Sequence, residues 1–341
     1  MKPHPLVLAA AAMLAAAPAF AKDKLSFAYL QDPVLEAVTK LLNDRKQRSV
    51  LEAVMWPMRN GKVVSDKLEI DGKGYQIPVL IQGTATKQWD VVMTAVMSVP
   101  RAKEQGLELR VLSTALRYHK SGDGAHVWVK KGSPYKTIAD LKGKTIATYG
   151  LQSTGITLVR LALWKKYGVN VQFENGDFKW QQLPAPALPG ALATDKVEAA
   201  TLIHSQAYQA AKNGDFVPVA RTAEDMWELF KLRMVSAVNV GYAEKIAAKP
   251  ELYREFNRML KASIDYTLKN IGEVSEAVGK ETKNDPAYFK AWFEQYSDFP
   301  AVVAQNDIDA MNKVWALSKE LGILKDYPDA KTMIWEGAIR E

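Results

Sequence analysis

The residues best suited to chemistry are Ser153 and Thr154, which follow a tight turn containing glycine. Residues 144–148 before them have the short, β-branched character of a buried strand, and Gly150 ends that strand. Both residues are good N-caps for an apolar helix over residues 156–166. The first N–H groups of such a helix are unpaired, and its macrodipole is positive at this end. The stretch therefore predicts a site for a small anion or, on a simpler interpretation, only a capped helix.

Strands and helices alternate along most of the chain, which predicts an α/β fold. The expected strands are residues 25–30, 75–78, 90–93, 109–114, 126–130, 144–148, 169–174, 197–202, 217–220 and 234–240. The expected helices are residues 33–43, 45–58, 79–86, 99–105, 156–166, 187–194 and 205–212, and the chain is strongly helical from residue 244 onward. Residues 59–74, which are rich in Gly, Lys and Asp, predict an exposed hairpin or loop.

Two extended crossings, near residues 113–117 and 234–240, are expected to join two lobes. The first lobe would be discontinuous, with residues 22–115 plus 240–341, and the second lobe would comprise residues 116–239. Each lobe would hold a mostly parallel sheet flanked by helices. Ligands in such folds bind in a cleft outside the carboxyl ends of the strands.

The composition is that of a globular protein, with 48% hydrophobic residues, 24% charged residues and a net charge of +7. The absence of cysteine excludes disulfides, a thiol nucleophile and a cysteine-ligated metal. The sequence holds no Ser–His–Asp signature, P-loop or H-E-x-x-H motif, and His119 and His126 are too isolated for metal-ligand spacing. We therefore expect no enzymatic activity, no cofactor and no metal site.

The N-terminus has the pattern of a cleavable export signal. Lys2 supplies the positive charge, residues 6–17 form an apolar run too short to span a bilayer, and Ala19-Phe20-Ala21 is a cleavage site. The mature chain would begin at Lys22. We expect a soluble, monomeric periplasmic protein, for which nucleic acid would be a poor partner.

Three stretches together resemble the periplasmic solute-binding proteins of the nitrate, sulfonate and taurine ABC importers, a group that also contains thiamine-precursor binders. They are residues 139–144 (ADLKGK), the turn at 150–155 and residues 192–200 (LATDKVEAA). The resemblance covers nearly the whole mature chain. It implies a class II periplasmic binding protein, whose two lobes close on a ligand like a Venus flytrap. It also implies a partner, the ABC permease in the inner membrane.

The resemblance further implies ligand contacts where four strands end. The implied contact residues are Tyr29, Gln31, Thr94, Ala95, Gln152, Ser153, Thr154, His204 and Ser205. The chain departs from the family pattern in two places. Residues 59–74 form a longer segment than expected, and the turn at residues 94–97 is less polar.

Other side chains are candidates because of their type and place. Arg117, at the first crossing, has a guanidinium suited to a carboxylate or sulfonate, or else it is an exposed hinge residue. Tyr29, Tyr149 and Trp180 would stack on a ligand ring or pack within the protein. His204 would donate to an anion when protonated, or form a surface hydrogen bond.

Aromatic side chains cluster near the predicted cleft, so the expected ligand is a small organic anion, a sulfonate or a carboxylate. A neutral pyrimidine-type thiamine precursor is the alternative. A secreted enzyme on the same fold is less favoured, because the enzymes of this group rely on cysteine-bearing sites and this chain has no cysteine.

Overall fold

The computed structural model describes residues 22–31, 50–120 and 125–341. The strands in these residues are β1 (Asp23–Leu30), β2 (Leu68–Tyr75), β3 (Val91–Ala95), β4 (Leu109–Tyr118), β5 (Ala125–Lys130), β6 (Thr145–Thr148), β7 (Lys179–Gln182), β8 (Ala199–Ile203), β9 (Phe216–Arg221), β10 (Val235–Tyr242) and β11 (Ser297–Asp298). They form two sheets. Sheet 1 has the order β11-β4-β10-β3-β1-β2, and sheet 2 has the order β7-β6-β8-β5-β9.

Helices connect and cover the strands. Their bounds are α1 (Leu51–Arg59), α2 (Ile77–Ala85), α3 (Ser98–Glu104), α4 (Thr154–Tyr167), α5 (Leu188–Ala193), α6 (Ser205–Asn213), α7 (Thr222–Phe230), α8 (Ala243–Ala248), α9 (Pro250–Lys269), α10 (Ile271–Thr282), α11 (Pro286–Ala291), α12 (Gln305–Glu320) and α13 (Ala330–Met333). A π-helical turn, Trp292–Tyr296, follows α11. Among the described residues, no helix has both the length and the apolar character needed to cross a membrane.

Both sheets are mixed, whereas the sequence predicted mostly parallel sheets. The parallel pairs lie at one end of each sheet: β1 pairs with β2 and β3, and β6 pairs with β7 and β8. The chain leaves sheet 1 after β4 and returns to it through β10, which lies antiparallel between β3 and β4. In sheet 2, β5 and its neighbours β8 and β9 are also antiparallel. The antiparallel pairs thus occur where the chain passes between the sheets.

Sheet 1 takes its strands from residues 23–118 and 235–298, and sheet 2 takes its strands from residues 125–221. We call β4 and β10 the crossing strands. The assignment of whole segments to two lobes, with boundaries at residues 115 and 240, stays a prediction.

Helices cover both faces of sheet 1. Successive side chains of a strand point to opposite faces, so neighbouring residues of β1 show both contacts. Phe27 of β1 packs edge-on against Phe256 of α9, with ring centroids 5.2 Å apart. Its neighbour Ala28 belongs to the cluster on the other face, which includes Trp315 of α12. The predicted architecture of two sheets flanked by helices is confirmed.

Most predicted elements are confirmed with their ends shifted, but several differ. Residues 68–75 form the edge strand β2 instead of a loop, and the strand expected at 75–78 is replaced by the start of α2. Residues 169–174 form no strand, because β7, which begins five residues after this segment ends, takes the place beside β6. Helix α7 was not predicted. The predicted helix at 33–43 and the export signal lie outside the described residues.

Gly83 lies in α2 directly against the ring of Trp89. A Cβ atom there would stand 2.0 Å from Cζ3 of Trp89, whose side chain is buried. We predict that Gly83→Ala lowers the free energy of unfolding by about 1–3 kcal/mol, because overpacking outweighs the gain in helix propensity. Urea unfolding measures the effect. Gly272→Ala is the control: it lies in α10 with nothing within 4 Å and should be neutral or stabilising. Equal stabilisation of both variants would contradict the prediction.

Candidate functional site

The turn between β6 and α4 has the predicted geometry. Ser153 is the N-cap of α4, and its Oγ accepts a hydrogen bond from the Ile156 N–H at 3.3 Å. Gly168 ends the helix in the left-handed conformation, with φ of 65°. The N–H groups of Thr154 and Gly155, in the first turn, have no acceptor within the helix. The helix and cap expected from the sequence are confirmed, and two amide donors lie at its positive end.

The segment that follows β3 in sheet 1 packs directly against this turn. The Met97 N–H donates to Thr154 Oγ1 at 3.2 Å, and Nη1 of Arg101 donates to the Gln152 carbonyl at 2.9 Å. Thr154 is buried by these contacts, while Ser153 is partly exposed and Gln152 is exposed. Two loops that extend the carboxyl ends of strands in different sheets thus meet at the start of α4.

Thr94 and Ala95, the other predicted contacts near this loop, are the last two residues of β3. Thr94 is buried and Ala95 is half-buried. Both pair with β10, opposite Val238 and Ala237. The contact with the α4 turn therefore comes from Met97, two residues beyond the end of β3.

Four hydroxyl groups gather beside the same turn; we call Tyr118, Tyr149, Ser153 and Ser236 the hydroxyl cluster. Burial raises the pKa of Tyr149, and a hydrogen bond with Ser153 opposes this only in part. Burial and the neighbouring Tyr149 raise the pKa of Tyr118, which hydrogen-bonds Ser236. Both phenols are therefore neutral at pH 7 and serve as uncharged donors and acceptors. Tyr118 and Ser236 lie on the crossing strands, whereas Tyr149 and Ser153 follow β6.

His204 lies where β8 ends and α6 begins. Its φ of 52° is uncommon for a residue with a side chain. Its ring stacks on Trp292 of the π-helical turn, with centroids 4.8 Å apart and planes 16° apart. Burial lowers the pKa of His204 to about 4, so the ring is neutral at pH 7. His204 therefore offers no positive charge to an anion.

Helix α6 extends this contact to the C-terminal helices. The Tyr208 hydroxyl donates to Asp285 at 3.1 Å, and Lys212 pairs with the same carboxylate at 2.7 Å. Ser205, the first residue of α6, is half-buried. The sheet 2 region thus contacts the sheet 1 region through His204 and α6 as well as through the α4 turn.

Arg117 is neither an exposed hinge residue nor a free cation. Its Nη1 donates to Asp307 and Glu341, both at 3.2 Å, and its Nη2 donates to Asp298 at 3.3 Å. Burial alone would lower the pKa of the guanidinium, but the carboxylates outweigh burial and raise the pKa. The side chain is 9% exposed. Three carboxylates already bind the guanidinium. Arg117 therefore ties the first crossing strand to the C-terminal part of the chain and is not available to a ligand.

Tyr29 is fully buried instead of facing a cleft. Its hydroxyl donates to Glu52 at 2.6 Å, and its ring lies against Gly72 and Gly74 of β2. Burial, followed by the charge of Glu52, raises the pKa of Tyr29 well above its usual value. Gln31, at the end of the same strand, is half-buried and donates its N–H to the Tyr75 carbonyl at 2.8 Å.

Trp180 packs within the sheet 2 region, edge-on against Phe173 and Phe178 at 6.1 Å each. The structure therefore brings Tyr149, Gln152, Ser153 and Thr154 together, and it places Tyr29, Arg117 and Trp180 in packing roles. The sequence did not single out Arg101, Tyr118, Ser236 or Trp292. Their position in the sequence could have identified Tyr118 and Ser236 as site residues, because Tyr118 directly follows the first predicted crossing and Ser236 lies in the second.

Strand order and chain crossings together define a two-sheet binding-protein fold. The periplasmic aliphatic sulphonate binding protein SsuA from Escherichia coli is 14% identical to this chain, with a TM-score of 0.65 and 94% of each chain covered. The alkanesulfonate-binding protein SsuA from Xanthomonas axonopodis pv. citri, bound to MOPS, is 15% identical, with a TM-score of 0.65, 94% of this chain covered and 100% of that chain covered. Protein AF1704 from Archaeoglobus fulgidus is 21% identical, with a TM-score of 0.68 over 88% of this chain and 98% of its own. These likenesses show the periplasmic binding protein fold.

A family model described as NMT1/THI5 like matches residues 79–273, more than half of the chain. The chain belongs to the NMT1/THI5-like family, and the resemblance to the nitrate, sulfonate and taurine group is confirmed. A comparison with curated proteins gave no match.

Proposed function

We propose that this protein binds a small organic anion, a sulfonate or a carboxylate, and delivers it unchanged to an ABC permease in the inner membrane. The observation that carries this proposal is the start of α4. Amide donors of Thr154 and Gly155 that have no acceptor among the described residues lie there beside the hydroxyl cluster, and the loop after β3 packs against them from sheet 1. The family and the fold support a solute-binding role in the periplasm.

In this proposal the negative group of the ligand accepts hydrogen bonds from the first-turn amides and from the Ser153 hydroxyl. The rings of Tyr118 and Tyr149 would pack against the apolar part of the ligand, and their neutral hydroxyls would hydrogen-bond its polar atoms. Because groups from both sheets contact the ligand, it binds the closed arrangement more tightly and shifts the population toward it. The permease would then recognise the closed surface. No covalent step is involved.

A neutral aromatic heterocycle of the pyrimidine class is the second candidate. One observation favours it: the two cations expected from the sequence are not available. Arg117 is occupied by three carboxylates, and His204 is neutral and stacked. A ligand without charge would rely on the hydroxyl cluster and on stacking alone. The two candidates therefore differ in how much they depend on the positive end of α4.

Replacing Ser153 by aspartate separates the two candidates. Aspartate still caps the helix but places a carboxylate where the anion would bind. We predict that Ser153→Asp weakens binding of a sulfonate or carboxylate by at least about tenfold, the cost of one charge-assisted hydrogen bond or more. A neutral pyrimidine would be affected far less. Ser153→Thr keeps the hydroxyl and is the control.

The measurement is a thermal-shift panel of sulfonates, carboxylates and neutral pyrimidines with the wild type and both variants. A ligand at 100 times its Kd adds about 2.7 kcal/mol of stability. If no anion raises the melting temperature of the wild type, the anion proposal fails. If only pyrimidines raise it, the second candidate replaces the first.

A further inference from the structure

A cavity lies beside the crossing strands and shares no residue with the α4 turn or the hydroxyl cluster. Its volume is about 540 Å³, and its lining residues are His119, Lys120, Arg233, Glu294 and Gln295. His119 and Lys120 directly follow β4, and Arg233 lies two residues before β10. Glu294 and Gln295 belong to the π-helical turn after α11. The cavity is therefore built from both crossings and from the C-terminal helical region.

The cavity and the hydroxyl cluster lie on opposite faces of the first crossing. Tyr118 points toward Tyr149 and Ser236, whereas its neighbours Arg117 and His119 both reach Asp298. This alternation is that of a strand, in which successive side chains point to opposite faces. A molecule in this cavity would not contact the candidate solute site through Tyr118.

Two cationic groups in the cavity retain unused donors. Arg233 donates through Nε to the Tyr118 carbonyl at 2.9 Å and through Nη2 to Asp298 at 2.6 Å, but its Nη1 has no acceptor in the described part of the chain. Lys120 is exposed, and its ammonium lies 4.3 Å from the ring centroid of Trp227. The described residues provide no carboxylate for Lys120.

Of the two nearby acids, Asp298 is fully engaged and Glu294 is only weakly paired. Asp298 accepts from Arg117 and Arg233, and its other oxygen lies 3.4 Å from His119 Nε2. Glu294 is exposed and stands 3.9 Å from the ammonium of Lys290. Among the described residues, Lys120 and Nη1 of Arg233 are therefore cavity donors without a carboxylate or carbonyl partner, and Gln295 lines the cavity with an exposed amide.

We propose that this cavity is a second binding site, for a small dianion that carries a phosphate or two carboxylates. One negative oxygen would accept from Nη1 of Arg233, and another would accept from the ammonium of Lys120, both as charge-assisted hydrogen bonds. Gln295 would complete the donor set. The volume exceeds that of inorganic phosphate, so the site has room for an organic substituent.

Isothermal titration of the full chain tests the proposal, with inorganic phosphate and succinate as separate probes at an ionic strength matched with chloride. We expect saturable binding of at least one probe, and the stronger probe identifies the class of dianion. Lys120→Gln should weaken that binding roughly tenfold, as the loss of one charge-assisted hydrogen bond predicts. Glu294→Gln should strengthen it several-fold by removing a like charge. Lys313→Gln is the matched control, because this lysine also lies over an aromatic ring, Phe230, but outside the cavity.

Ser153→Asp distinguishes this site from the start of α4, which is also suited to anions. Dianion binding that survives Ser153→Asp and falls in Lys120→Gln supports the proposal. The proposal is overturned if neither probe binds saturably, if Lys120→Gln and Lys313→Gln have equal effects, or if Ser153→Asp abolishes binding. Because the α4 turn is also suited to a carboxylate such as succinate, only the binding that survives Ser153→Asp is assigned to this cavity.

Discussion

Replacing Arg117 with methionine should lower the free energy of unfolding by about 3–5 kcal/mol, because it leaves the buried carboxylate of Asp307 without its cation. Asp307 is fully buried, whereas Asp298 is 27% exposed and keeps its pair with Arg233 at 2.6 Å. Asp307 also accepts from Thr114 Oγ1 at 2.9 Å and from the Ala304 N–H at 3.0 Å, so it cannot turn toward water without breaking these bonds. Urea unfolding at pH 7 measures the loss.

Glu341→Gln is the matched control for this network. Its carboxylate pairs with the same guanidinium, but its side chain is 58% exposed. Exposed ion pairs contribute little, so the control should cost less than about 1 kcal/mol. Equal losses in the two variants would contradict the assignment of Arg117 to the interior. A variant that kept its stability and lost only solute affinity would restore Arg117 as a ligand contact.

The second large effect is a loss of stability between pH 6.5 and pH 4 that depends on His204. The pKa of this ring is about 4 in the folded chain, against an ordinary value of 6.5. As the pH falls below 6.5, the unfolded chain binds a proton that the folded chain does not bind, so folding becomes less favourable. The contribution is complete above pH 6.5, and about 3 kcal/mol of it is lost by pH 4.

His204→Phe keeps an aromatic ring on Trp292 but does not titrate. The measured quantity is the difference between the unfolding free energies of the wild type and the variant, at intervals from pH 7.5 to pH 4. Carboxylates titrate in both proteins and cancel in this difference. We expect the wild type to lose stability relative to the variant as the pH falls. A difference that stays constant with pH would refute the stacked, neutral histidine.

The start of α4 could be predicted because its signals are local. A strand, a glycine, a capping hydroxyl and an apolar run follow one another directly in the sequence. Capping and macrodipole effects also act only over the first turn of a helix. The crossings were also predictable, since long apolar strands flank the polar segment where the chain changes sheets. The correct prediction of the N-cap at Ser153 thus depended on interactions within a few residues.

The role of Arg117 was not predictable in the same way. Its partners Asp298, Asp307 and Glu341 lie 181, 190 and 224 residues away along the chain. No local pattern links an arginine on a strand to acids that distant parts of the chain bring beside it. An isolated arginine near a crossing has the same sequence signature whether it binds a ligand or a buried carboxylate.

Strand β2 shows a second reason for error. Its sequence contains Asp71, Gly72, Lys73 and Gly74, which is a pattern typical of turns. The segment is nevertheless a strand, because it lies at the edge of sheet 1, where polar side chains can face water. Its glycines make room for the ring of Tyr29, with the position of a Cβ at Gly74 lying 3.3 Å from that ring. The same packing removes Tyr29 from the surface.

Native mass spectrometry of the protein purified from its native cells tests the central proposal most directly. The account predicts a 1:1 complex of the wild type with a small organic molecule, which fragmentation releases unchanged. Ser153→Asp, purified in parallel, should retain much less of it if the molecule is an anion. Equal retention of the molecule by both proteins, or its appearance as a chemically altered product, would contradict an anion carrier that binds at the start of α4.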